Sequence, residues 1–441
     1  MAILHPAEGP VTQKRLLAFF IPLGLTVVLI NLSHVIINGT LAKAAEPTNV
    51  LAGYALAMSL LNLTEKPSIL LRQTCSALVR DRISFRAVRF IGLCIFGVAL
   101  AFGALIAYTP VGHWVFGIIF GADAPVASQA IAAWKALMFL SVFSGMRCLF
   151  QGVIIYRMRT KWMIVGMIFR LSAMFLLSRL FIHIGIANAL QGTFIFVVGM
   201  AIEAFVSWLE FRKLIREMPE RAENHEISRP RQVMPFYRPL LLSTLIILWV
   251  LPILNTLLGT TEHAAMAIAS FSVAGSLMNL MLGFFTYFHQ IALHFGRKNP
   301  QQVRRFVLML GFTPVILLSL LAFTSAGPWM LANLLNVEGE LLHASLVALR
   351  GFLPFVLIFP WLDTLNGFVM GRNETKLMFA SQLANAVITT ILITALVLIL
   401  PGWHGILGSL AQSGGLAAEL ALLFGLYRRN RKFRMSVGIS A

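Results

Sequence analysis

The sequence predicts an all-α integral membrane protein with twelve transmembrane helices in two pseudo-symmetric six-helix bundles. Three observations carry this: composition, an internal repeat and the distribution of basic residues. Of 441 residues, 58% are hydrophobic and 12% charged, with a mean hydropathy of +0.83, too little polar sequence to cover a soluble globule of this size. Residues 19–63 laid on 236–280 without a gap give fourteen identities, among them Phe19/Phe236, Pro22/Pro239, Leu23/Leu240 and Asn38/Asn255. A second block, at an offset of 215, sets Gly152, Arg157, Thr160, Lys161 and Met163 on Gly367, Arg372, Thr375, Lys376 and Met378. Repeated halves in a bilayer protein are a transporter construction, with substrate held between two parts that rock against each other.

Apolar stretches of about 20 residues or more, the length that crosses the hydrocarbon, follow in order. The first, 15–42, contains Asn31, His34 and Asn38, the last matched by Asn255 in the seventh span. The second, 51–79, places Glu65-Lys66-Pro67 near the midplane. Pro67 removes an intrahelical donor there, and broken helices at that depth form transporter binding sites; the structural alternative is a kink in a packed helix. The third span, 90–111, holds Cys94. The fourth, 128–156, carries Lys135 and Arg147, and the tenth, 343–371, carries Arg350 and Asp363. The 215 offset aligns Lys135 with Arg350 and sets Arg147 and Asp363 at nearly equal depth in opposite halves. They are expected either to meet across a central cleft as a gate or to pair permanently within their own halves. Spans five and six, 161–183 and 186–212, are joined by a short turn at His183-Ile184-Gly185 and hold Arg170, Arg179 and Glu203. Spans seven and eight, 236–259 and 263–296, repeat the first two, with His289 in the place of Arg72. The ninth, at 305–325, is followed by the tenth, and the last two, 376–400 and 405–427, meet at Pro401-Gly402-Trp403, with Glu419 in the twelfth.

Basic residues give the orientation. With both termini cytoplasmic, 27 of the 35 Lys and Arg fall at cytoplasmic ends of spans and only Lys43 in an outer loop, as the positive-inside rule requires. Topology and contact with anionic lipid therefore account for the net charge of +18. The basic clusters are short, dispersed and free of interleaved aromatics, so no nucleic-acid partner is expected. The domains expected are 1–213 and 236–441, each a six-helix bundle, joined by a cytoplasmic linker at 214–235. The sequence has no Walker A motif, so transport would draw on an ion or substrate gradient or on a separate subunit. Cys75, Cys94 and Cys148 fall inside spans and suggest no disulfide framework. No separate cleavable signal is expected, because the first apolar run continues into the repeat.

Seven cations lie within the spans, Lys66, Arg72, Lys135, Arg147, Arg170, Arg179 and Arg350, against four acids, Glu65, Glu203, Asp363 and Glu419. Each costs about 2.5–3.5 kcal/mol at a helix centre unless it meets water or a partner. The excess of cations favours an anionic cargo. Lys66, Arg147 and Arg350 are the first candidates to contact it, followed by Arg72, Lys135, Asn38 and Asn255. Glu65, Asp363, His289 and Glu419 are candidates for gating or coupling. No catalytic residue, metal or cofactor is expected; coupling to Na+ or H+ is left open. The partners expected are a small anion and the lipid bilayer, with no obligatory protein partner.

The run Phe19-Phe20-Ile21-Pro22-Leu23-Gly24-Leu25-Thr26, then Ile37-Asn38-Gly39 and Leu51-Ala52-Gly53-Tyr54-Ala55-Leu56-Ala57-Met58-Ser59-Leu60, resembles the start of the progressive ankylosis protein family. Pro252-Ile253-Leu254-Asn255, Leu349-Arg350 with Phe352 and Gly367, and His404-Gly405 before Glu419 extend the resemblance over most of both halves. That family lies within the superfamily of multidrug, oligosaccharidyl-lipid and polysaccharide exporters. The resemblance implies a MATE-like fold, two bundles around a V-shaped central cleft, and alternating-access export of small polyanions such as citrate, pyrophosphate or nucleotide. The location expected is a plasma membrane, the bacterial cytoplasmic membrane. The sequence departs from the family after Leu63 in the second span, and it lacks the long polar carboxyl tail of animal members. Two other functions remain: a cation-coupled multidrug exporter or lipid-linked precursor flippase, and an integral-membrane enzyme, which would need His, Asp or Ser clustered at one depth.

Overall fold

The computed structural model describes residues 11–436 apart from 45, 186–187, 224, 226, 298 and 336. Among the described residues every regular element is helical. Leaving aside the short helices Val111–His113, Trp114–Ile119, Ala326–Leu335 and Pro401–Trp403, these are in chain order α1 Gln13–Leu41, α2a Pro47–Thr64, α2b Lys66–Leu78, α3 Arg82–Tyr108, α4 Ala124–Tyr156, α5 Lys161–Ile184, α6 Ala189–Glu217 and α7 Pro230–Leu258. They continue with α8a Ala264–Gly283, α8b Phe288–Phe295, α9a Pro300–Leu310, α9b Thr313–Phe323, α10a Gly339–Gly351, α10b Leu353–Gly371, α11 Thr375–Ile399 and α12 Ile406–Ser436. Eleven of the resulting helices are long and apolar enough to cross a membrane. The remaining expected span is the α2a/α2b pair, split at Glu65.

Each break has a local chemical cause. Pro67, Pro314 and Pro354 stand at the second positions of α2b, α9b and α10b, where the missing N–H interrupts nothing but the preceding helix cannot run through. The expected eighth span is also interrupted, at Phe284–Tyr287, without a proline. There Thr286 donates to the Gly283 carbonyl from both its hydroxyl, at 2.8 Å, and its amide, at 3.4 Å, so that carbonyl is satisfied within a tight turn.

By internal packing the chain divides into two units. One runs from Ile21 to Tyr237; the other takes the chain through Phe20 together with Arg238 onward. The two crossing points are 217 residues apart, the offset of the repeat, so α1 and α7 each change unit at equivalent positions. Phe19 and Phe236, matched in the repeat, are both buried. Phe20 packs against Phe288 and Phe306 with ring centroids 5.0 and 5.7 Å away, and Tyr237 donates its hydroxyl to the Pro67 carbonyl at 2.9 Å.

The second repeated block is a shared helix ending. Met158 and Asn373, 215 residues apart, both have left-handed φ, of 58° and 59°. They close α4 and α10b, and Thr160-Lys161 and Thr375-Lys376 then open the next helices. A left-handed residue after the last turn is a common way to satisfy final carbonyls.

Helix α3 starts earlier than the expected span because Asp81 caps it. Its carboxylate accepts from the Ser84 amide at 2.6 Å, and Ser84 Oγ accepts in return from the Asp81 amide at 3.2 Å. The second carboxylate oxygen accepts from the Ala222 amide at 3.0 Å, tying α3 to the linker. Burial opposes the Asp81 charge, but the amides of Ala222 and Ser84 outweigh it and the carboxyl lies below its ordinary value. With the folded value lowered, Asp81 contributes stability above the unfolded value of about 3.9, and that contribution is lost as pH falls through the folded value. Asp81→Asn keeps a side-chain cap of equal rank but removes the charge, so it is expected to lower the melting temperature at neutral pH and to match wild type at the most acid pH. A constant difference across the pH series would show that the charge is not involved.

Candidate functional site

The polar residues of the Ile21–Tyr237 unit converge on α2b, α4, α5 and α6. Glu203 on α6, 1% exposed, is held from three sides. Arg147 Nη1 on α4 lies 3.1 Å from Oε1, Gln151 Nε2 donates to the same oxygen at 3.0 Å, and Arg170 Nη1 on α5 reaches Oε2 at 2.8 Å. Arg170 also lies over the Phe196 ring, 5.1 Å from its centroid. Two guanidiniums on one carboxylate leave a positive excess, and Glu65 at the α2 break lies close enough to act electrostatically on both arginines. The broken helix and the buried charges thus form one network. Arg72, a turn and a half into α2b, reaches it through Gln151 Oε1 at 3.5 Å.

The other unit repeats this placement with different charge. Asp363 on α10b accepts from the His289 amide at 2.9 Å, and its oxygens lie 3.1 Å from His289 Nδ1. A carboxylate there caps the first turn of α8b and meets the positive end of that helix. Glu419 on α12, 2% exposed, accepts from Asn385 Nδ2 on α11 at 2.6 Å and bonds the Gln382 side chain. A separate cavity of about 930 Å³, lined in part by His263, Glu340, His343, Trp403 and His404, lies at the ends of α10a and α12 away from both acids.

These contacts reorder the residues singled out in the sequence. Of the two arrangements expected for Arg147 and Asp363, the contacts seen are those within each unit: Arg147 is engaged by Glu203 and Asp363 by His289. Arg147, 6% exposed, is spent on a structural contact. Lys66 and Glu65 are half-buried at the α2 break, and Arg72 is half-buried beside them. Lys135 is exposed near the Tyr108 ring, and Arg350 is exposed over Phe323 with Nε donating to the Ala322 carbonyl at 3.1 Å. Asn38 is exposed, whereas Asn255 is half-buried and its Oδ1 has no hydrogen-bond partner, so the matched asparagines occupy different surroundings. Among the described residues no group of three or more His, Cys, Asp or Glu could hold a metal ion. Sequence reasoning left Arg170 and Glu203 out of the site. The signal was present: Gly199-x-x-x-Glu203 recurs as Gly415-x-x-x-Glu419.

The repeated Gly152 and Gly367 mark where a broken helix crosses. A Cβ on Gly152 would meet the Cys75 side chain and, at 2.8 Å, the Arg72 carbonyl of α2b; one on Gly367 would meet the His289 carbonyl and, at 2.7 Å, Ala292 of α8b. Gly152→Ala is therefore expected to cost about 1–3 kcal/mol and to lower the melting temperature in detergent. Gly39→Ala, which meets nothing within 4 Å, should leave it unchanged or raised. Equal melting curves for the two variants would contradict this crossing.

Residues 8–202 match the Progressive ankylosis protein (ANKH) family. No curated protein matches the sequence. Among solved structures, a MOP superfamily transporter from Pyrococcus furiosus, whose binding pocket has reversed polarity and for which a different function is suggested, shares the fold at 16% identity. It covers 96% of both chains with a TM-score of 0.75. A MATE protein in complex with MaD3S aligns at 16% identity over 96% of this chain and 97% of its own, with a TM-score of 0.76. An outward-facing multidrug resistance MATE transporter aligns at 17% identity over 94% and 95%, with a TM-score of 0.73. The resemblance read from the sequence is borne out: residues 8–202 carry progressive ankylosis family sequence, and the whole chain has the MATE fold. These similarities are to transporters, and the helices are those of a multi-pass membrane protein.

Proposed function

We propose that the protein is a secondary transporter that exports small anionic metabolites, of the citrate, pyrophosphate or nucleotide type, by alternating access. The supporting observation is which charges are sealed and which are open. Glu203 and Glu419 are buried with partners, and Asp363 is engaged by His289. Lys66 and Arg72 keep accessible surface at the α2 break, and Lys135, Arg179 and Arg350 are exposed. Intramembrane charges that are not sealed mark substrate pathways, and here they are mostly cationic. The progressive ankylosis match and the reversed pocket polarity of the Pyrococcus relative favour the same class over a drug exporter for cations, which would need an acidic pathway. Basic residues at the α3, α5 and linker ends support a reading with both termini in the cytoplasm of a bacterial plasma membrane.

Counterflow in proteoliposomes tests this with citrate, malate, pyrophosphate, ATP and a cationic dye as separate labelled substrates. Exchange of one or more anions and none of the dye is expected. Dye exchange without anion exchange would turn the assignment over to the multidrug function.

A further inference from the structure

Each half buries a glutamate on its sixth helix one turn after a glycine: Gly199 and Glu203 on α6, Gly415 and Glu419 on α12. Opposite stands an aligned residue of the preceding helix, Arg170 on α5 and Asn385 on α11. The glycines make room for these contacts: a Cβ on Gly199 would lie 3.2 Å from Arg170 Cγ, and one on Gly415 would lie 2.6 Å from Asn385 Oδ1. The same backbone position is thus built twice with opposite electrostatics. Glu203 has two guanidiniums; Glu419 has two amides, and among the described residues no ion pair. Thr389 Oγ1 donates to Asn385 Oδ1 at 3.0 Å, which fixes the amide with its NH2 toward the carboxyl.

The charged and titratable groups on the helices packed against α12 lie elsewhere. Helix α8a has none. On α10a, Arg350 is exposed and bonded to Ala322, and Glu340 and His343 line the distant cavity with His404. Asp363 on α10b is held by His289. Lys376 sits in the first turn of α11, nine residues before Asn385, about 13 Å along the axis. On α12 itself Tyr427 lies two turns further on beneath Arg372, followed by Arg428 and Arg429. An ionised carboxylate with neutral amide partners, sealed from water inside a span, is an uncompensated charge of the kind that buried sites exclude.

We propose that Glu419, framed by Asn385 and Gln382, is a proton-binding site of the second unit, which takes up and releases a proton in the transport cycle. This rests on the transporter reading, but its test needs no cargo. The whole protein in liposomes is followed by infrared difference spectroscopy as pH is stepped from acid to alkaline, in potassium and then in sodium buffer, without any anionic substrate. A carboxylic-acid C=O band that disappears at alkaline pH is expected in wild type and is expected to be lost in Glu419→Gln. Asn385→Arg, which recreates the pairing of Arg170 with Glu203, should also abolish it, so the result does not hang on one variant folding. The proposal is overturned if the titrating band persists in either folded variant, if it never titrates in wild type, or if sodium displaces the titration. Loss of anion counterflow with this band intact would count against the cargo and not against Glu419.

Discussion

Glu203→Ala is expected to remove most of the folded protein. Two guanidiniums, Arg147 and Arg170, converge on that carboxylate at 3.1 and 2.8 Å, with 6% and 1% of their surface exposed. Removing one partner of a buried pair costs about 3–5 kcal/mol, a large share of a stability margin of about 5–15 kcal/mol. Arg147 Nε and Arg170 Nε and Nη2 already lack hydrogen-bond partners, so little in the site can absorb the loss. Replacing all three charges by methionine should recover folding, because an apolar core of similar volume is no worse than the ion pairs. Melting curves and the monodisperse fraction in detergent measure both. If Glu203→Ala melts like wild type, the cluster is hydrated and not structural.

Much of the fold was readable because its determinants are one-dimensional. Apolar runs and alternating basic loops gave the spans, and Pro67 gave the α2 break. The 217-residue offset located the paired α1 and α7, and the 215-residue block proved to be the shared left-handed ending at Met158 and Asn373. The α8 interruption at Phe284–Tyr287 was not foreseen because it is a tight turn at Thr286 without a proline. Depth along a helix follows from counting residues, but facing does not, so Arg147 and Asp363 were aligned in depth while each turned to a neighbour in its own unit. The α6 and α12 glutamates escaped notice as a pair because their offset, 216, matches neither repeated block.

The largest functional effect is expected from Lys66 and Arg72 together. Lys66 opens α2b directly after the break and is half-buried, with no ion-pair partner among the described residues. Arg72 lies on the same short helix, half-buried, with a long 3.5 Å contact to Gln151. A charge-assisted hydrogen bond to an anion contributes about 1.5–3 kcal/mol, which is about tenfold to a hundredfold in affinity for each cation removed. Both side chains keep accessible surface at the break, so the variants should fold. By contrast Arg147→Gln should lose yield before it loses transport, because it leaves Glu203 with one partner fewer.

The most direct test is anion counterflow by Lys66→Gln/Arg72→Gln and wild type, normalised to folded protein in the same liposomes. The account predicts a normal yield of the double variant and an apparent anion affinity lower by about a hundredfold or more. A folded double variant with wild-type anion affinity would contradict the assignment of the open cations at the α2 break to the cargo.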